Sequence, residues 1–261
     1  MKHRLLGQLS NPRNASRQAC LSGALALLML TGCGRRDAHV KYERPSEVHD
    51  FATLFAQNCS GCHGAEGELG AAPPLADPLF LAIIPETEFT RVVSEGRTAT
   101  LMPAFAREHG GELTDEQIGI LVRGIRSKWG SSEGVGPGPL PDYLAQAGTG
   151  EAPSSENREA ALQVFASVCG NCHGPRGQGG KEAGPIRDRA FLTLISDQAL
   201  RRIVITGRRD LGMPDYRRLG DLLPAGQPLS NQQIADMVAL LGSWRQAHEE
   251  IPQAAAATGG Q

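Results

Sequence analysis

Four stretches of the chain carry apolar residues at the spacing of one helical face. Phe51, Leu54 and Phe55 share a face within Glu47 to Asn58, and Leu162 and Phe165 repeat part of that pattern farther on. Thr114-Asp115-Glu116-Gln117 and Ser230-Asn231-Gln232-Gln233 both read as capping boxes, in which the first side chain and the glutamine three residues later satisfy each other's backbone N–H. Each box opens an apolar-periodic segment, one running to Trp129 and the other to Trp244. Shorter helices are predicted at Glu88 to Ser94 and Gln198 to Thr206. The valine and isoleucine runs at 92 and 203 fall inside them, strand signals are weak, and an all-α fold follows.

These helices belong to two copies of one plan. An offset of 110 brings Phe55 onto Phe165, Cys59 onto Cys169, Cys62 onto Cys172 and His63 onto His173. The offset becomes 111 at Met102-Pro103 and Met213-Pro214, and 116 at Thr114 and Ser230, so the second copy has extra loop around Leu222 to Leu229. Repetition at this spacing points to duplication, with units at 47–129 and 156–245. Residues 130–155 contain ten Gly or Pro among 26 and read as a linker partly stiffened by proline. Residues 246–261 are a low-complexity tail.

The composition shows that units of this kind need something to fold around. Among 261 residues there are 32 Gly and 17 Pro but only 12 aromatic side chains, so each unit is small and rich in loop. Six cysteines stand at 20, 33, 59, 62, 169 and 172. The first two lie in a distinct N-terminal segment: Lys2, Arg4, Arg13 and Arg17 with no acid, then apolar Leu21 to Leu30, too short for an ordinary spanning helix. It ends in Leu30-Thr31-Gly32-Cys33, which resembles a bacterial lipoprotein signal. By that resemblance residues 1–32 are removed, Cys33 is the lipidated N-terminus, and 33–46 form a polar tether on the exported side of a membrane. A plain signal peptide or an uncleaved anchor are the competing readings, and both still export the chain. Without the leader the net charge is −6, which leaves no positive field for a nucleic acid.

The remaining four cysteines form Cys59-Ser60-Gly61-Cys62-His63 and Cys169-Gly170-Asn171-Cys172-His173, the signature of c-type haem attachment. Two thiols three positions apart can add to the two haem vinyl groups while the next residue, histidine, reaches the iron. A structural zinc site and a thioredoxin-like redox pair compete with this reading. Export, duplication and the histidine in both copies favour haem. A second axial ligand is offered at matched places, since Met102 follows Gly96 by six residues, Met213 follows Gly207 by six, and each precedes a proline. Met29 lies in the leader, and Met237 belongs to a periodic apolar segment with no counterpart in the first copy.

Here the chain resembles the class I cytochrome c family, duplicated as in diheme members of the cytochrome c4 type. The resemblance spans about 47–129 and 156–245. It implies two covalently attached haem c groups with low-spin iron, held by His63 and Met102 and by His173 and Met213, with Cys59, Cys62, Cys169 and Cys172 attached to the haems. It also implies a proline whose backbone carbonyl accepts the other ring proton of the proximal histidine. Pro185 in Ala183-Gly184-Pro185 fits for His173, and Pro73 or Pro74 for His63. Phe55, Phe165, Leu101, Phe105, Tyr216, Trp129 and Trp244 are expected to pack in the core or against haem. The departure from c4-like members is clearest in the 26-residue linker.

With histidine and methionine on both irons no position is left for substrate, so the implied role is reversible one-electron transfer between a redox donor and acceptor. A quinol-oxidising complex or a terminal oxidase or reductase are the expected partners, with the membrane reached through the lipid. Residues 47–129 carry −6 and residues 156–245 carry +3, an asymmetry able to suit different partners. Arg201-Arg202, Arg208-Arg209 and Arg217-Arg218 are docking or haem-propionate candidates. The alternative is a catalytic diheme subunit, peroxidase-like or oxidising sulfur compounds. Against it, residues 34–261 hold no cysteine beyond the four in the haem motifs, and His39, His49, His109 and His248 do not recur between copies.

Overall fold

Aspartate, serine and threonine side chains start most of the helices in the computed structural model of this chain, which describes residues 43–98, 100–144 and 155–246. The leader, Cys33, His39, most of the tether, part of the linker, His248 and nearly all of the tail lie outside the described residues. Asp50 accepts from Thr53 N at 2.8 Å and opens α1, Phe51–Asn58. A single turn, α2, Ser60–His63, follows at once. Asp77 accepts from Phe80 N and Pro78 takes the first helical position, where its missing N–H costs nothing, to start α3, Pro78–Ile83. Then come α4, Glu86–Glu95, and α5, Asp115–Trp129, whose capping box is complete.

The second half runs in the same order: α6, Ser155–Val168; α7, Gly170–His173; α8, Arg189–Leu194; α9, Asp197–Thr206; and α11, Asn231–Gln246. One short helix, α10, Tyr216–Gly220, has no counterpart in the first half. It precedes the expected extra loop, which folds back so that Leu229 N donates to Tyr216 O at 3.2 Å. No strand forms among the described residues. Only isolated bridges occur, Ala106 with Leu113 and Arg208 with Met213.

The apolar faces read from the sequence meet in the core. Phe51, Phe55 and Trp129 cluster with ring centroids 5.0 to 6.3 Å apart, which joins α1 to α5. Phe165 and Trp244 stand edge to face at 5.2 Å and join α6 to α11. Phe55, Phe165, Tyr216, Trp244 and Met237 are buried, and Phe105 and Trp129 are half-buried. Leu101 is the exception among the expected packing residues, because it is 96 % exposed.

Residues 130–144, part of the segment read as a linker partly stiffened by proline, are held to the second half. Arg217 donates to Gly134 O and Val135 O, Arg201 to Asp142 O at 2.8 Å, and Gln198 Nε2 to Tyr143 O at 2.7 Å. The Tyr143 ring is buried and reaches the first half, 6.0 Å from Phe80. Arginines of the second half thus supply the donors that a Gly/Pro-rich segment lacks for its own carbonyls. The halves also touch directly, α3 against α9, with an ion pair between Arg209 and Asp77 at 3.3 Å. No described helix is long and apolar enough to cross a membrane.

Candidate haem sites

Each Cys-x-x-Cys-His run lies at the junction of a long helix and a single turn. His63 N donates to Cys59 O at 3.0 Å and His173 N to Cys169 O at 2.9 Å, so both histidines are carried at the end of a fixed helical turn. The four thiols are free. Cys62 and Cys172 are exposed, whereas Cys59 and Cys169 are half-buried where the long helix meets the turn. Burial, reinforced by the neighbouring thiol of each pair, pushes Cys59 up to about 11 and Cys169 up to about 12. Among the described residues no group of three or more His, Cys, Asp or Glu converges as a metal cluster.

The histidine rings are oriented in one way in both halves. His63 Nδ1 lies 3.1 Å from Pro73 O, and His173 Nδ1 lies 3.0 Å from Gly184 O. With the proton on Nδ1 donated to the carbonyl, Nε2 keeps its lone pair for a metal. Pro73 is therefore the acceptor in the first half, while Pro74 has its carbonyl taken by Arg202. In the second half the acceptor is Gly184 and not Pro185. The loop after His173 is one residue longer, so Gly184 stands where Pro73 does and Pro185 where Pro74 does. Burial holds the His63 imidazole below its ordinary value. The Pro73 hydrogen bond opposes this, and the charge of Arg202 adds to it.

The two methionines sit in loops closed the same way. Arg97 N donates to Met102 O at 3.1 Å and Arg208 N to Met213 O at 3.0 Å. Each loop begins at a glycine with positive φ, +73° at Gly96 and +69° at Gly207, and each glycine lies under the methionine-proline backbone. Both methionines are half-buried. The remaining histidines in the described residues are engaged elsewhere, His49 near Glu116 and His109 beside Glu108.

These residues suit haem c. Free thiols three positions apart, a ring with Nε2 available and a thioether in a closed loop are the donor set it uses. Beside them stand large apolar side chains with nothing over them: Leu69 at 89 % exposure in the loop leaving His63, Leu101 next to Met102, and Leu211 at 72 % two residues before Met213. A flat apolar group would cover such residues, which water leaves at a cost.

The described helices, strand-free and ordered in this way, make an all-α fold of the cytochrome c-like bundle kind. The sequence comparison agrees, because the model of the family described as cytochrome c oxidase, cbb3-type, subunit III matches residues 46–123 and again 156–241. The chain belongs to that family. Among solved structures it is similar to the reducing HAO-like protein complex of Kuenenia stuttgartiensis, with 20 % identity over 78 % of this chain and 99 % of the other and a TM-score of 0.44. No curated protein matches.

Proposed function

We propose that the chain is a diheme c-type cytochrome, two cytochrome domains at 47–129 and 156–245, that passes single electrons between respiratory partners. The observation that supports this most is that one donor arrangement occurs twice: free thiols three apart, a histidine with Nδ1 on a loop carbonyl, and a methionine in a glycine-closed loop. When bound, haem c supplies a one-electron couple at its iron. Cys59, Cys62, Cys169 and Cys172 hold the group covalently. His63 and His173 present Nε2, with Pro73 and Gly184 fixing the ring tautomer. Met102 and Met213 would each supply a thioether to the iron, which would leave no position for substrate and favour the reduced state relative to more basic ligands.

Family membership supports an extracytoplasmic place in a respiratory chain and association with an oxidase complex. The lipoprotein-like end at Cys33 supplies the tether in this reading.

The test is optical. Purified mature protein is expected to carry two haems per chain and to show the near-infrared methionine-to-ferric-haem band for both, with no high-spin signal and no peroxide turnover. Cys62→Ala with Cys59→Ala is expected to halve the covalent haem. A high-spin haem lacking the methionine band overturns the assignment for that domain, and peroxide turnover would move the protein to the catalytic class.

A further inference from the structure

Arg202 is a charged side chain buried at the contact between the halves. It leaves α9 of the second half and enters the first, with its guanidinium 3.6 Å over the ring centroid of Phe80 and an Nη2 donor on Pro74 O. The residue is only 7 % exposed, and among the described residues no carboxylate pairs with it. The nearby aspartate, Asp77, is held by Arg209. Arg97 and Arg208, which open the two methionine loops, lie close enough to repel Arg202, and Asp77 lies close enough to attract it without pairing. Arg202 borders a cavity of about 530 Å³ between the Leu69–Pro78 loop of the first half and the Thr206–Asp210 turn of the second.

A guanidinium buried without a counter-charge is costly, so its field is felt by whatever lies near. The loop it grips is the one that orients His63: Pro74, which accepts from Arg202, directly follows Pro73, which accepts from His63. A positive charge held against the loop that orients His63 disfavours the extra positive charge that a ferric iron on that ring would carry. The second half has no such arrangement. By the offset of 111 the counterpart of Arg202 is Arg91, which is half exposed and neutralised by Glu88 and Glu95 at 2.8 Å each.

We propose that Arg202 is a positioning residue contributed by one haem domain to the other, raising the reduction potential of the haem held by His63 and leaving that held by His173 nearly untouched. The proposal rests on His63 and His173 each being an iron ligand. Its consequence is that docking of the two halves sets the driving force for electron movement between them.

The experiment is a potentiometric titration of the intact holoprotein. The first haem is read in a Met213→His background and the second in a Met102→His background, so that each wave is assigned. Arg202→Gln is expected to raise the ferric-to-ferrous ratio of the first haem about tenfold at fixed potential, a fall of about 59 mV. Arg202→Lys keeps the charge and is expected to recover most of the shift. Thr206→Asp, four residues along α9 and lining the same cavity, leaves the arginine in place and is expected to lower the same wave by opposing its charge. It therefore decides the matter if Arg202→Gln does not fold. An unchanged first wave in Thr206→Asp, or in Arg202→Gln with the methionine band intact, overturns the proposal, as does an equal shift of both haems. Failure of the underlying haem assignment is separate, since it would appear in the unmodified protein as missing haem or a missing methionine band.

Discussion

Gly207 lies directly beneath Met213: a Cβ built on Gly207 would stand 2.5 Å from the Met213 carbonyl oxygen, and one built on Gly96 would stand 2.7 Å from that of Met102. No real Cβ sits so close to backbone. The six-residue glycine-to-methionine spacing is therefore a loop closure, in which the chain leaves a helix through positive φ and returns over its own start. Gly96→Ala and Gly207→Ala are each expected to cost about 1 to 3 kcal/mol of stability and to remove the near-infrared methionine band from one haem. Denaturant unfolding and redox-resolved absorption measure the two effects. An alanine variant that keeps both bands at full intensity would refute this account of the loop.

Gln117 is fully buried and uses its whole side chain. Oε1 accepts from Thr114 N at 3.0 Å, and Nε2 donates to Pro45 O at 2.7 Å and Val48 O at 3.0 Å. The capping-box residue of α5 thereby also ties down the turn that precedes α1. Gln117→Leu removes all three bonds at a water-free position, with an expected loss of about 1 to 3 kcal/mol. Gln233, which caps α11 from a half-buried position, is expected to tolerate the same change with a smaller loss. Equal losses at the two sites in denaturant titrations would contradict the argument.

Arg126 and Arg245 perform one task from different positions on their helices. Arg126 donates to Leu81 O at 2.9 Å and Ile84 O at 2.5 Å, and Arg245 to Leu192 O at 2.6 Å and Ile195 O at 2.7 Å. The acceptors are the last carbonyls of α3 and α8, which a helix cannot satisfy itself. Arg126→Met and Arg245→Met are each expected to cost about 1.5 to 3 kcal/mol. Lysine is not expected to rescue either, because one ammonium does not span two carbonyls as a planar guanidinium does. Thermal unfolding of the holoprotein tests this, and full rescue by lysine would sink the forked-donor explanation.

The Met213 loop should loosen in acid. Hydrogen bonds from Arg208 hold Asp210 below its ordinary value of 3.8, with burial opposing the shift. A depressed value in the folded state means the contribution is fully present above the ordinary aspartate range and is lost as pH falls through the lowered one. Asp210→Asn is expected to cost about 0.2 to 1 kcal/mol at neutral pH, the range for an ion pair at the protein surface. The difference from the unmodified protein should close as the pH is lowered. A gap that stays constant in stability measurements down to strongly acid pH would show that Asp210 acts in some other way.

Periodicity and spacing in the sequence were enough for the long helices, the two capping boxes, the repeated Cys-x-x-Cys-His turns and the closed loops before each Met-Pro pair, because each depends on residues within a few positions of one another. The helices α3, α8 and α10 went unread, since five or six residues are too few to show a period. The Arg126 and Arg245 caps were hidden because their offset, 119, differs from that of the carbonyls they serve, 111. The acceptor for His173 is Gly184, the counterpart of Pro73, and not Pro185, the counterpart of Pro74, which only the folded path of the loop reveals. The contact between the halves was decided wholly by tertiary structure. Phe80 and Phe191 are equivalent in sequence, yet Phe80 is 2 % exposed beneath Arg202 and Tyr143 while Phe191 is 39 % exposed. Local chemistry is repeated wherever the sequence repeats, but a burial environment is set by what other parts of the chain happen to cover. That difference makes two nearly identical sites electrostatically unequal.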